Sequence, residues 1–310
     1  MIDTETSKEY EYKLIDPKLI AINDNKDTIS IYENDLKYKG HNSIDIKRVK
    51  EFNDKDNPDT VEYRINECIK SGCITLDLSH LNLKALPELP KIIWGKLKHL
   101  FISENKIQNI KDISYLKELI VIDICNNQLT NIPILPERIE EILIKNNNVH
   151  NIDSLSQYDY LKRLDCAENM ITNIPIIDSL EILICSKNKI EYIPNLKRLK
   201  KLSCPDNRLT KLSNFTNLEI LDCDKNNIDK IDNIINLKEL YCSKNDISCI
   251  KNINKIEVLH CHQTNIKKID YFESLKELIC DDKDDFILSK FYTIVDANTF
   301  KNKIMVLHFK

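Results

Sequence analysis

Between residues 73 and 281 the apolar positions return in one order, Leu-x-x-Leu-x-Φ-x-x-Asn-x-Φ, where Φ is Leu, Ile or Cys. Thus Leu218-Glu-Ile-Leu221-Asp-Cys223-Asp-Lys-Asn226-Asn-Ile228 is followed by Leu237-Lys-Glu-Leu240-Tyr-Cys242-Ser-Lys-Asn245-Asp-Ile247. The Leu-x-Cys alternation has period two, which predicts a short strand with Leu and Cys inward and the residues between them outward. Seven times running the third apolar position is a cysteine: Cys166, Cys185, Cys204, Cys223, Cys242, Cys261 and Cys280, each 19 residues after the last. A fixed period of this length predicts a solenoid, in which each coil buries its apolar side by stacking on its neighbours. Equivalent strands then form a parallel sheet spaced about 4.8 Å apart. The cysteines form one inward file and act as small hydrophobes, so they are read as packing rather than as disulfides.

Upstream the same position is held by Leu78, Ile102, Ile124 and Ile144, with gaps of 24, 22, 20 and 22 residues leading to Cys166. The run amounts to about eleven coils, the early ones longer. This frame resembles the leucine-rich-repeat superfamily in its short-repeat form. Cysteine in the third apolar position, on an Ile/Asn/Lys-rich background, is similar to leucine-rich-repeat proteins of large DNA viruses that infect amoebae. The fold class expected is an α/β solenoid with a parallel sheet on the concave face and extended or 3-10 returns on the convex face. Prolines at Pro87, Pro90, Pro133, Pro136, Pro175 and Pro194 favour extended returns.

One asparagine follows each strand: Asn105, Asn127, Asn147, Asn169, Asn188, Asn207, Asn226 and Asn245. An inward amide at a turn can satisfy backbone groups that the turn leaves unpaired, so the ladder is read as structural. Leu81 and Thr264 take the same place in terminal, atypical coils.

Solenoid ends need caps. Residues 57–72 read as a helical N-cap, opening at Asn57-Pro58-Asp-Thr, lined by Val61, Ile65, Cys68 and Ile69, and closed by Gly72. Residues 282–310 carry Phe286, Phe291, Tyr292, Ile294, Phe300, Met305, Leu307 and Phe309, apolar enough to cover the last coil. Residues 1–56 show no repeat and are left as a segment of unknown fold; Ile29-Ser-Ile-Tyr-Glu reads as a short strand.

The outward strand residues form columns on the concave face. Among them Phe101, Leu143, Arg163, Ile182, Ile184, Ile220, Tyr241 and His260 mix apolar, aromatic and charged groups, as protein-binding faces do. Phe101, Arg163 and Tyr241 are the expected anchors. His260, His262 and Asp281 lie close in the pattern, but two imidazoles and a carboxylate fall short of a zinc ligand set, so no metal is assigned. The acidic run 281–285 lacks the central glycine and closing glutamate of the common calcium loop. The chain has three widely spaced glycines, so no phosphate loop exists, and no catalytic residue or cofactor is assigned.

Net charge is −4 and lysines alternate with acids, which leaves no basic stripe for nucleic acid. No apolar run approaches the roughly 20 residues of a membrane span. The polar, acidic start and the reduced cysteine file suggest an intracellular, cytoplasmic setting, in host cytoplasm or a virion if viral. The function expected is a non-catalytic, monomeric protein-binding scaffold with another protein on the concave face. The alternative is an adaptor of protein modification, either a ubiquitin-ligase substrate receptor or a phosphatase regulator.

Overall fold

The computed structural model describes residues 58–269 (the Ser213 side chain excepted) and 272–281, and the backbone of strands at 11–15, 18–22, 28–32, 35–36, 287–288, 294–300 and 304–309. Two compact units divide the chain, Met1–Pro58 and Asp59–Lys310. In the first, β1 (Glu11–Ile15), β2 (Lys18–Ile22), β3 (Thr28–Tyr32) and β4 (Asp35–Leu36) pair antiparallel in chain order.

The second unit opens with α1 (Val61–Lys70). Its N-cap is Thr60, the last residue of the Asn57-Pro58-Asp-Thr opening read from the sequence, and the Thr60 side chain accepts from the Tyr63 N–H at 3.2 Å. A threonine hydroxyl satisfies one of the orphan N–H groups of the first turn, which a proline cannot do. Asn57 itself lies outside the described residues. Ile65 and Cys68 are buried, and Gly72 ends the helix at φ 96°, a left-handed turn suited to glycine.

Coil after coil then adds one three-residue strand: β5 (Thr75–Asp77), β6 (His99–Phe101), β7 (Val121–Asp123), β8 (Glu141–Leu143), β9 (Arg163–Asp165), β10 (Ile182–Ile184) and β11 (Lys201–Ser203). From there each coil also forms a return strand. The order becomes β12 (Lys211–Ser213), β13 (Ile220–Asp222), β14 (Lys230–Asp232), β15 (Glu239–Tyr241), β16 (Cys249–Lys251), β17 (Val258–His260), β18 (Lys268–Ile269) and β19 (Glu277–Asp281). β20 (Ile287–Leu288), β21 (Ile294–Phe300) and β22 (Ile304–Phe309) follow. Among the described residues the main sheet has thirteen strands in the order β21-β22-β19-β17-β15-β13-β11-β10-β9-β8-β7-β6-β5. All but the terminal hairpin β21–β22 run parallel, and the register is one to one, with Leu164, Leu183, Leu202, Leu221, Leu240, Leu259 and Leu278 in a single row.

That row and the cysteine file beside it are inward and fully or almost fully buried, inside one continuous apolar core running from Ile65 to Cys280. Each leucine withdrawn from water contributes roughly 1.5–3 kcal/mol, but only because the next coil covers it. Burial pushes the thiols of Cys166, Cys185, Cys204, Cys223 and Cys242 well above the ordinary thiol range.

The returns match the expected extended chain, with β12-β14-β16 and β18-β20 forming small parallel sheets and a 3-10 turn at Asp153–Gln157. One exception is α2 (Lys91–Trp94), a helical turn after Pro90 in the return between β5 and β6. This coil is the longest of the series, and proline is tolerated at a helix start.

Each ladder asparagine ties two coils together. Asn127 Nδ2 donates to Ile124 O and Cys125 O of its own coil and to Ile102 O of the coil before, while its Oδ1 accepts the Ile107 N–H at 2.9 Å. Asn226 repeats the set on Cys223, Asp224, Cys204 and Leu209. Thr264, with no amide, makes a smaller set through its hydroxyl, donating to Cys261 O. The residue before each asparagine is left-handed although it is not glycine, as at Glu104, Lys187, Lys225 and Lys244, with φ between 52° and 59°.

Candidate functional site

The concave sheet presents the residues flanking each inward leucine, and the structure sorts the expected binding residues into two groups. Phe101, Ile182, Ile184, Tyr241 and His260 are half-buried, with part of each side chain reachable. Leu143, Arg163 and Ile220 are not: they retain 6%, 4% and 8% exposure, which corrects the expectation that they project into solvent. Strands about 4.8 Å apart crowd side chains of neighbouring coils, so an outward position is not automatically an exposed one. Arg163 in particular lies in the sheet beside Asp165, whose carboxyl burial raises and the guanidinium opposes.

The central column holds Asp77, Asp123, Asp165 and Asp222, and each Oδ1 accepts the backbone N–H two residues on, at 2.9, 2.8, 3.2 and 3.3 Å. These aspartates end their strands and supply the acceptor that the turn requires. This role was missed in the sequence; the Asp-x-(Ser/Cys/Ala/Asp) step after the inward residue is the signal that carries it. Asp123 is the extreme case. It has no exposed surface, and burial pushes its carboxyl up to about 6, with Asp165 adding to the effect.

Towards the C-terminal coils the face becomes a linked polar network. Tyr241 donates to Glu239 Oε2 at 3.2 Å and meets the His260 ring edge-on, centroids 4.6 Å apart. His260 Nε2 lies 2.7 Å from Glu277 Oε1. His262 Nδ1 is 2.8 Å from Ser243 Oγ, and burial lowers its proton affinity. Asp281 accepts the Gln263 N–H. Thus His260, His262 and Asp281 each have other partners, and among the described residues no group of His, Cys, Asp or Glu is arranged to hold a metal ion. At the other end Phe101 stacks on His99, whose Nδ1 is 3.0 Å from Thr75 Oγ1. The calcium-like run lies, apart from Asp281, outside the described residues.

One step before the strands runs a second column that sequence reading did not single out: Glu140, Lys162, Glu181, Lys200, Glu219, Lys238, Glu257 and Lys276. Signs alternate, and each lysine pairs with the glutamate of the coil before it, at 2.8 Å for Lys162–Glu140 and Lys200–Glu181 and 2.7 Å for Lys238–Glu219; Lys276–Glu257 completes the set. Next to it the first strand position alternates as well, apolar at Ile182, Ile220 and Val258 and charged at Arg163, Lys201, Glu239 and Glu277. In this region the sequence therefore repeats over two coils rather than one.

No family model and no curated protein matches the chain. Solved structures do, and they are leucine-rich-repeat proteins. InlJ of Listeria monocytogenes, described as including a cysteine ladder, aligns with 24% identity and a TM-score of 0.52 over 66% of this chain and 53% of its own. YopM of Yersinia pestis, a leucine-rich effector, aligns with 23% identity and a TM-score of 0.56 over 69% of this chain and 73% of its own. A chain of an octameric complex of latrophilin 3, Unc5D and the leucine-rich-repeat protein FLRT2 aligns with 18% identity and a TM-score of 0.50, over 66% and 80%. The chain spans about half the length of the Listeria protein it matches. At these identities the likeness establishes the leucine-rich-repeat fold.

Proposed function

We propose that the chain is a non-catalytic scaffold that holds another protein on its concave sheet. The observation that carries this reading is the face itself: eleven parallel strands in unbroken register, with half-buried Phe101, Ile182, Ile184, Tyr241 and His260 set among charges. Extended concave sheets of this kind offer a large, rigid surface, and aromatic side chains with a fixed polar handle are efficient anchors. FLRT2, in the complex that contains the third structural neighbour, assembles with other proteins, which supports the same use here. The resemblance to viral repeat proteins directs the search for that partner to host proteins and virion components, and the buried cysteine file suits a reducing, intracellular setting.

The test is affinity purification with the intact chain and two double variants, Phe101→Ala/Tyr241→Ala on the concave face and Ile176→Ala/Tyr192→Ala at exposed positions in the returns. A partner held by the parent and the return-side variant but lost by the concave variant is the expected result. Loss from the return-side variant alone would overturn the concave assignment.

A further inference from the structure

Helix α1 ends in a turn built around two cysteines. The Cys73 N–H donates to Cys68 O at 2.8 Å and the Gly72 N–H to Ile69 O at 3.3 Å, with Gly72 at φ 96°. This is the Schellman arrangement, in which the second residue past the cap makes an apolar contact back to the helix residue whose carbonyl it binds. Any two apolar side chains would serve that contact; here both are cysteines, Cys68 4% and Cys73 1% exposed. Their thiol groups are in hydrogen-bond contact, and burial first, then Cys73, pushes the Cys68 thiol up to about 11. The cover over them is thin, since Lys70, Ser71 and Gly72 between them are exposed, as is Ile74 just beyond. The cysteine file is built differently. Parallel strands in register hold equivalent side chains about 4.8 Å apart, whereas a disulfide needs its Cβ atoms within about 3.5–4.5 Å.

We propose that Cys68 and Cys73 are a dithiol–disulfide pair, which a low-molecular-weight disulfide such as oxidised glutathione converts into a clasp between α1 and the first coil. One cysteine thiolate attacks a sulfur of that oxidant, forming a mixed disulfide and expelling one small thiolate. The second cysteine's thiolate then attacks the protein-side sulfur, closing the Cys68–Cys73 bond and expelling the other. Two protein thiols are oxidised, the small disulfide is reduced to two thiols, and the two protons pass to them. The raised Cys68 thiol makes attack from the closed turn slow, so the exchange runs through local opening at the exposed end of α1. Once formed, the bond ties α1 to the segment that enters β5, where Arg64 Nη1 already donates to Asp77 O at 3.3 Å.

Peptide mapping of the full chain after equilibration in glutathione redox buffers, with the remaining thiols alkylated in denaturant, tests this. The expected product is one linked pair, Cys68 with Cys73, while the file cysteines are recovered alkylated. Its equilibrium constant against glutathione should be on the order of tenfold larger in the folded chain than in urea, because the turn holds the sulfurs together. Cys73→Ser should stall at the mixed disulfide of Cys68 with glutathione. In the bridged parent, the backbone amides of α1 should exchange about tenfold more slowly than in the reduced one. Alkylation of both cysteines at every buffer ratio, or bonds from either to the file, overturns the proposal. An equilibrium constant no larger in the folded chain overturns it too, and leaves the contact as apolar packing.

Discussion

At Asp123 a carboxyl group has been placed where water does not reach. Its Oδ1 ends strand β7 by accepting the Cys125 N–H, and the same contact recurs at Asp77, Asp165 and Asp222, so the residue is explained by the turn rather than by a ligand. The position carries a cost in the ionised form. Its folded-state pKa, about 6, lies above the unfolded value of 3.8. Below pH 3.8 the group is protonated in both states and costs nothing; above about 6 it is ionised in both, and the folded state bears the full penalty. Stability should therefore fall as pH rises through that window, by about 3 kcal/mol from this residue at most. An amide oxygen can accept the same turn N–H without carrying a charge, so Asp123→Asn should abolish this slope. Denaturant midpoints at pH 4 and pH 7 check it: the variant should gain on the parent between the two, and parallel curves would contradict the assignment.

Among the elements, the coil is the unit that repeats, and the asparagine is what fastens one to the next. Asn226 reaches carbonyls on two coils with its Nδ2 and an amide of the preceding return with its Oδ1. Asn226→Ala leaves these buried groups unsatisfied, and a loss of about 2–4 kcal/mol in chemical denaturation is expected. An exposed turn residue such as Lys225 should tolerate alanine far better, apart from the left-handed backbone it must keep. The inward Leu/Cys alternation and this ladder were legible in the sequence, because burial admits so few residue types that the same letters must recur. The paired Glu/Lys column was there to be read, but its 38-residue period is hidden by a dominant 19-residue one. Exposed ion pairs are worth about 0–1 kcal/mol each, so selection writes them less insistently than the core.

For the whole molecule, a solenoid's stability is approximately a sum of coil and interface terms, so damage should remain local. Leu278→Ala on β19 opens a cavity at the C-terminal end and should cost about 2–5 kcal/mol in the coils it touches. Hydrogen exchange should then show lost protection around β17 and β19 with β7 to β10 still protected; uniform loss along the sheet would mean that the unit unfolds as one. The N-terminal boundary of α1 shows the limit of sequence reading at this scale. The run Asn57-Pro58-Asp-Thr60 fits the pattern of a helix opening as a whole, and the hydrogen bond from the Tyr63 N–H to the Thr60 side chain picks out the cap residue within it.

By itself the sequence determined the solenoid, its coil count to within the longer early repeats, the inward cysteine and leucine files and the asparagine ladder. Each of these follows from local spacing and from a core that accepts few substitutes. Tertiary structure decided which outward residues are accessible, burying Leu143, Arg163 and Ile220 while leaving Phe101 and Tyr241 partly open. It also decided that, among the described residues, the parallel run is continued past β19 by an antiparallel hairpin. Both depend on neighbours a coil or more away in the chain, and exposure is a property of that assembled neighbourhood rather than of any position in the repeat.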